Sequence, residues 1–185
     1  MKEYIRAYPL FSLCGLNCGL CPRYHTEGES KCPGCGGPAF HWKHPSCAVI
    51  TCSRKHGGVE HCCQCNAFPC PRYEKPGNAD SFISYRNVLP DLRRVRQEGL
   101  DAYREALDEK VAILRKLLEA YNDGRRKSFY CNAVNLLPLQ ILKEVMAAIP
   151  GEMKEGLDAK DKANRVAALF EAKAKASHID LKLRK

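Results

Sequence analysis

The stretch from Cys14 to Cys70 constrains this chain more than any other feature, because it holds eleven of the twelve cysteines and five of the six histidines. Cys-Pro, Pro-Gly and Gly-Gly pairs interrupt it repeatedly, and such pairs favour loops and tight turns over long helices or strands. The stretch has too few large apolar residues to fold through hydrophobic burial alone. We therefore expect bound metal to supply part of its stability.

The chain shows no N-terminal apolar run of the kind found in signal peptides, and no stretch approaches the roughly 18 to 20 apolar residues that span a bilayer. These features predict a cytoplasmic protein without a membrane partner. In a reducing cytosol, a cysteine-rich stretch is more often a metal site than a disulfide framework. We therefore interpret the cysteines as thiolate ligands.

Ten of the cysteines lie at spacings that suit metal ligation. Cys18-x-x-Cys21, followed ten residues later by Cys32-x-x-Cys35, is the two-knuckle pattern of a tetrahedral zinc site. The later cysteines offer more than four sulfurs, so their spacing does not decide which four would bind one ion. Because ten thiolates exceed one tetrahedral site, we predict about two zinc ions per chain. The candidate ligands are Cys14, Cys18, Cys21, Cys32, Cys35, Cys47, Cys52, Cys62, Cys65 and Cys70.

Four further residues stay undecided from spacing alone. His56 and His61 are spare ligand candidates, although a loop histidine more often faces solvent than binds a metal. Cys63, next to Cys62, is more often a bystander than a ligand. Cys131 is the obvious candidate for a nucleophile, but buried free cysteine is commoner and the sequence supplies no certain base to activate it. Whether the protein is an enzyme therefore stays open.

The first three cysteines also allow an alternative. Cys14-x-x-x-Cys18-x-x-Cys21 has the spacing by which radical S-adenosylmethionine enzymes hold a 4Fe-4S cluster, and all-cysteine ligation suits either metal type. Those enzymes place the motif in an α/β barrel, whereas the second half of this chain shows no alternation of strands with helices. We predict a zinc-binding protein that acts as a binding or regulatory module. The alternative is an iron–sulfur protein with redox or radical chemistry.

The order and spacing of the cysteines resemble a known family of small cysteine-rich bacterial and archaeal proteins, domain of unknown function 3795. The resemblance covers roughly the first half of the chain. It implies ten metal-candidate cysteines but no established activity, and Cys63 and Cys131 lie outside the shared motif. The matching segments are Cys14-Gly15-Leu16-x-Cys18-x-x-Cys21, Cys32-x-Gly34-Cys35, the pair Cys47 and Cys52, and Cys62-x-x-Cys65-x-x-Phe68-Pro69-Cys70.

From about residue 80 the composition becomes charged and leucine-rich, with apolar residues at helical spacing. The pattern predicts four helices: one carrying Phe82 to Val95, one capped by Asp101, one from Pro138 that ends before Pro150, and one after Asp158. The tail 179–184 alternates apolar and polar residues, so it is either a short edge strand or a frayed end.

These patterns together predict a mainly α protein, of a small α+β type. A loop-rich, metal-stapled region (1–78) packs on a bundle of about four helices (79–185), and the two form one compact unit.

The charge of the chain limits its partners. The formal net charge is +9, but two divalent ions held by eight thiolates would leave about +5, because ligation deprotonates cysteine. Acids are interspersed with Arg93, Arg94, Arg125 and Arg126, so no single positive face is expected. We therefore favour a protein or small-molecule partner over nucleic acid. The predicted contact surface is an exposed rim of the metal loops around Trp42 and Phe68.

Overall fold

The computed structural model describes residues 4–44, 46–74 and 79–185, with the side chain of Glu74 excepted. These residues form eight α-helices, and no β-strand occurs among them. The mainly α class is therefore confirmed, without a β element in the described ranges. The predicted boundary between residues 78 and 79 falls beside residues 75–78, which lie outside the described residues.

The cysteine-rich half is dominated by loops, as its Gly and Pro content predicts. Three helices of eight residues or fewer interrupt the loops: α1 (Phe40–Lys43), α2 (Ala48–Lys55) and α3 (Pro71–Glu74). Two single turns of 3-10 helix, Cys18–Leu20 and Cys62–Gln64, present cysteines. Short helices of this kind are marginal by themselves, so their positions depend on tertiary contacts.

The second half is a bundle of five helices. They are α4 (Val88–Glu98), α5 (Leu100–Ala120), α6 (Lys127–Leu136), α7 (Leu139–Glu152) and α8 (Ala159–Ala176). Gly99 separates α4 from α5 with a φ of 92°, a conformation that favours glycine. Asp158 caps α8, because its side chain accepts a hydrogen bond from the Asp161 amide at 2.7 Å.

The helix α6 was not predicted from the sequence. Every residue from Tyr130 to Leu137 is buried, and Asn132 and Asn135 are among them, so the polar positions of this helix do not mark a solvent-facing side. Three details of the predicted helices were also wrong. Gly99 rather than Asp101 is the N-cap of α5, α7 continues through Pro150, and Phe82 lies before α4 with 58% of its surface exposed.

One hydrophobic core joins the two halves. Phe11 and Leu20 from the cysteine-rich half pack into the same cluster as Leu114, Val134 and Phe170 from the bundle. A second, small cluster lies entirely within the cysteine-rich half, and it consists of Leu13, Cys35, Phe40 and Ile50. The loops around this small cluster therefore have much less apolar burial to hold them than the loops that reach the main core.

The C-terminal tail is neither a strand nor a frayed end, because long-range hydrogen bonds anchor it. Arg184 donates to the Asp80 carboxylate at 2.8 Å, and Asn132 donates to the carbonyl of Leu181. Arg86 donates to the Lys182 carbonyl at 2.7 Å. None of the described helices is both long enough and apolar enough to span a membrane.

Candidate metal centre

The ten candidate cysteines line two separate cavities and divide between them without overlap. The larger, which we call the six-cysteine cavity, has a volume of about 440 Å³. The smaller, the four-cysteine cavity, has a volume of about 60 Å³. Cys63 and Cys131 line neither. The six cysteines of the larger cavity are Cys14, Cys18, Cys21, Cys32, Cys35 and Cys47, and the four of the smaller are Cys52, Cys62, Cys65 and Cys70.

Tight turns bring the two knuckles of the six-cysteine cavity into place. The amide of Cys21 donates to the Cys18 carbonyl at 3.1 Å and closes the first turn. The amide of Cys35 donates to the Pro9 carbonyl at 3.0 Å. Gly34 permits this approach, since its φ is +81° and a Cβ there would lie 2.6 Å from the Pro9 oxygen.

The thiols of this cavity influence one another across the two knuckles. Burial raises the pKa of Cys18 well above its ordinary value, and the thiols of Cys35 and Cys14 raise it further. Burial also raises the pKa of Cys21, and the thiol of Cys32 raises it further. A bound cation reverses this effect, because a coordinated thiol is deprotonated. The thiols of the first and second knuckles therefore lie within electrostatic range of one another across the cavity.

His44 is a potential ligand that the sequence reasoning missed. Its Nε2 lies 3.6 Å from the Sγ of Cys32, and it also lines the six-cysteine cavity. Its ring stacks on Phe40 with centroids 4.7 Å apart. Burial, together with the charge of Arg23, lowers the pKa of His44 and favours the neutral imidazole that binds metals. Only the cluster of histidines beside Trp42 could have suggested it.

The four-cysteine cavity forms where α2 meets the turn Cys62–Gln64. Burial raises the pKa of Cys62 to about 11, the neighbouring Tyr73 hydroxyl opposes the rise, and the thiols of Cys14, Cys70 and Cys52 add to it. The Tyr73 hydroxyl also lies 3.2 Å from the Cys14 carbonyl, to which it donates. The two cavities are therefore neighbours, with Cys14 and Tyr73 between them.

The donor chemistry fits a thiophilic metal, since ten thiols line the two cavities and all twelve cysteines of the chain are free. Their side chains are not yet converged: among the described residues, no three or more His, Cys, Asp or Glu side chains form a group that could hold a metal ion. Ligation deprotonates the thiols and couples metal binding to local folding. The fold therefore gathers thiols around each cavity without assembling a coordination sphere.

The undecided residues differ widely in their surroundings. His61 is fully buried, with Nδ1 3.1 Å from the Arg6 guanidinium, and burial lowers its pKa to about 4. His61 lines neither cavity, whereas His56 is exposed and lines the four-cysteine cavity. Cys63 is buried in the main core. Cys131 is fully buried, and burial raises its pKa to about 12, so its environment disfavours a nucleophilic thiolate.

Arg6 is a buried cation that the sequence did not reveal as part of the site. It donates to the carbonyl of Phe11 at 2.6 Å and to that of Glu60 at 2.7 Å. Its Nε lies 3.1 Å from the Glu60 carboxylate, although the angle does not allow a hydrogen bond. Its charge lowers the pKa of Cys35, which burial raises. Arg6 thus ties the first segment to the loop before the four-cysteine cavity.

The predicted rim around Trp42 and Phe68 does not exist as one surface. Trp42 is 75% exposed, whereas Phe68 is buried against Tyr73. Of the predicted basic residues, Arg94 forms an ion pair with Glu98 at 2.7 Å, and Arg126 donates to Asn164 at 2.5 Å. Two of the four predicted basic side chains are therefore bound by neighbours within the chain.

No curated protein and no solved structure matches this chain. A family model does match, and the matched residues are 10–75. That range contains all ten cysteines of the two cavities and ends before α4 begins. The resemblance predicted from the cysteine spacing is therefore confirmed, since residues 10–75 match the family described as protein of unknown function (DUF3795).

Proposed function

We propose that this protein is a zinc-binding module in which each of the two cavities holds one zinc ion through cysteine thiolates. The observation that carries the proposal is the division of the ten cysteines between two cavities that share none. A closed tetrahedral zinc site needs four ligands, and the smaller cavity supplies four thiols. The larger supplies the four knuckle cysteines, with Cys14, Cys47 and His44 beside them.

Zinc in a closed four-thiolate site is structural, and its binding energy becomes folding energy. Here it would cross-link loops that the small cluster of Leu13, Cys35, Phe40 and Ile50 holds with little apolar burial. The module would present the exposed Trp42 to a protein or small-molecule partner. Nucleic acid is the less favoured partner, since zinc ligation would leave a net charge of only about +5 and acids are interspersed with the basic residues. A reducing compartment such as the cytoplasm suits ten free thiols.

A second candidate is an iron–sulfur cluster in the six-cysteine cavity. It is favoured by one observation: Cys14, Cys18 and Cys21 line the same cavity, and that cavity is much larger than the other. The described residues form no strand, so they contain no α/β barrel of the kind that houses radical chemistry. Electron transfer is then the simpler use of such a cluster.

Metal analysis of protein purified anaerobically tests both candidates. We expect about two zinc ions per chain and no visible absorption. Brown protein containing iron and sulfide would favour the second candidate, and metal-free protein with disulfides would overturn both.

Single substitutions then test the division into two cavities. Cys32→Ser and Cys65→Ser should each lower the zinc content by about one ion, because each removes a ligand from a different tetrahedral site. The matched control is Cys63→Ser, which alters the neighbour of Cys62 but lines neither cavity, and it should retain both ions. Loss of both ions in either single variant would show that the two cavities do not bind independently.

A further inference from the structure

We infer that Asn17 is a positioning residue for the metal site, and that the helical bundle holds Cys14, Cys18 and Cys21 in place before any metal binds. We call the side of the six-cysteine cavity that carries Cys14, Cys18 and Cys21 the preformed wall. The opposite wall carries Cys32, Cys35 and Cys47, and it becomes ordered only when metal binds. The consequence for metal affinity rests on the proposed function, whereas the order of the preformed wall does not.

The side chain of Asn17 is bound at every polar position, by residues from three different helices. Its Nδ2 donates to Asp91 of α4 at 2.8 Å and to the side-chain oxygen of Asn135 of α6 at 3.1 Å. Its Oδ1 accepts from the Tyr103 hydroxyl of α5 at 2.8 Å. Asn17 is only 4% exposed and lies immediately before Cys18. Breaking any of these bonds would strand a buried polar atom.

The partners of Asn17 are themselves held. The Asn135 amide donates to the Ser84 carbonyl at 3.1 Å, and its backbone carbonyl accepts from Asn87 at 2.8 Å. Lys110 donates to the same carbonyl at 3.4 Å and offsets the charge of Asp91. A buried network whose members are all satisfied specifies one arrangement of the chain. The turn at Asn17 is therefore held in a fixed position against the bundle.

Close packing supports the same turn from both sides of Asn17. A Cβ at Gly15 would lie 2.6 Å from Cγ of Leu92, and one at Gly19 would lie 3.0 Å from a methyl group of Val111. Leu20 is fully buried in the main core. The turn thus lies flush on α4 and α5, at a distance that leaves no room for additional side chains.

The opposite wall has no comparable support from the helical bundle. Cys32 and Cys47 lie on loops, and Cys35 belongs to the small cluster with Phe40 and Ile50. Residues 27–31 between the two knuckles are exposed. Within the described ranges, the bundle packs closely on the turn Cys18–Leu20 but not on α1 or α2. Metal binding is then the step that draws the second wall onto the first.

Hydrogen exchange of the full chain, with and without zinc, tests whether the preformed wall is rigid and the opposite wall mobile in the absence of metal. In metal-free protein, amides of residues 14–21 should remain protected while those of residues 30–52 exchange rapidly. Added zinc should protect the second range. Equally rapid exchange of both ranges without metal would overturn the inference, even in a protein that binds zinc. Protein that binds no zinc would instead overturn the proposed function.

Asn17→Leu tests the positioning role, and Tyr130→Phe is its control. Tyr130 is also buried, and its hydroxyl donates to the Tyr121 carbonyl at 3.0 Å, so this variant breaks a buried hydrogen bond within the bundle and not at the cysteine turn. Both variants should lose thermal stability. In a Cys65→Ser background, Asn17→Leu should weaken zinc binding by at least about tenfold and the control by less than about twofold.

Equal zinc affinities in the two variants would overturn the positioning role. Should Asn17→Leu fail to fold, Tyr103→Phe takes its place, because it keeps the ring and removes only the hydroxyl that donates to Asn17. Tyr103→Phe should increase exchange at residues 14–21 and weaken zinc binding in the same direction. Unchanged exchange at these amides would refute the inference.

Discussion

Replacing Asp80 by Asn should destabilise the protein and loosen one side of the six-cysteine cavity. The Asp80 side chain is fully buried, and it accepts hydrogen bonds from the Tyr85 amide at 2.9 Å and from the Arg184 amide at 2.8 Å. The Arg184 guanidinium adds an ion pair at 2.8 Å. Because residues 81, 82, 83 and 85 line the cavity, this carboxylate joins the tail to the cavity wall.

The expected loss of unfolding free energy is about 2 kcal/mol. Removing one partner of a buried ion pair costs about 3–5 kcal/mol. Two features reduce this cost. Arg184 remains 34% exposed, so its charge can return to water, and the new asparagine retains one acceptor oxygen. The matched control is Asp180→Asn in the same tail. Asp180 is exposed and accepts only from the Lys182 amide, so we expect a loss below about 0.5 kcal/mol.

Urea denaturation as a function of pH is the assay. Burial by itself would raise the pKa of Asp80, but the hydrogen bonds from Arg184 and from the Tyr85 amide outweigh it and hold the pKa well below its usual range. A carboxyl with a depressed folded pKa contributes stability that is complete above its unfolded pKa of about 3.9 and is lost as pH falls through the folded value. The difference between wild type and Asp80→Asn should therefore be full at pH 7 and shrink below about pH 4.

Release of the proposed zinc in acid would affect both proteins alike, so the comparison between them remains informative. Equal stabilities at pH 7 would refute the reasoning. So would a difference that persists undiminished at the lowest pH at which both proteins still fold.

Two further predictions concern the packing of single residues. Gly15→Ala should lower the free energy of unfolding by about 2–4 kcal/mol, because φ is +91° and the new Cβ would lie 2.6 Å from Leu92. Gly57→Ala is the control: its φ is +82° but the space around it is open, so the loss should be only about 1–2 kcal/mol. Thermal melting compares the two, and equal losses would contradict the packing described for Gly15. Cys131 should resist iodoacetamide in native protein because it is fully buried and its pKa is raised to about 12, while exposed Cys52 should react once metal is stripped. Peptide mass spectrometry that finds both labelled at the same rate would contradict this.

The sequence by itself determined the mainly α class and the ten candidate ligands. Helix α8 was predictable because its cap, Asp158, and its apolar stripe are local features that repeat at helical spacing. The cysteine spacing was equally local, since one tight turn presents two sulfurs to the same ion. By contrast, α6 stayed hidden because Asn132 and Asn135 in its buried stretch bind other buried groups, so its polar residues do not mark a solvent-facing side.

Only the tertiary structure decided how those cysteines are grouped and what holds them. The division into two cavities depends on how the loops pack in three dimensions, and no spacing encodes that. Asn17 looks like an ordinary loop residue in the sequence, yet its partners Asp91 and Asn135 lie 74 and 118 residues away. Arg6 was missed for the same reason, since Glu60, whose carbonyl it binds, lies 54 residues away. The roles of Asn17 and Arg6 arise from burial and hydrogen bonds between distant segments, and these form only when the tertiary structure brings those segments together.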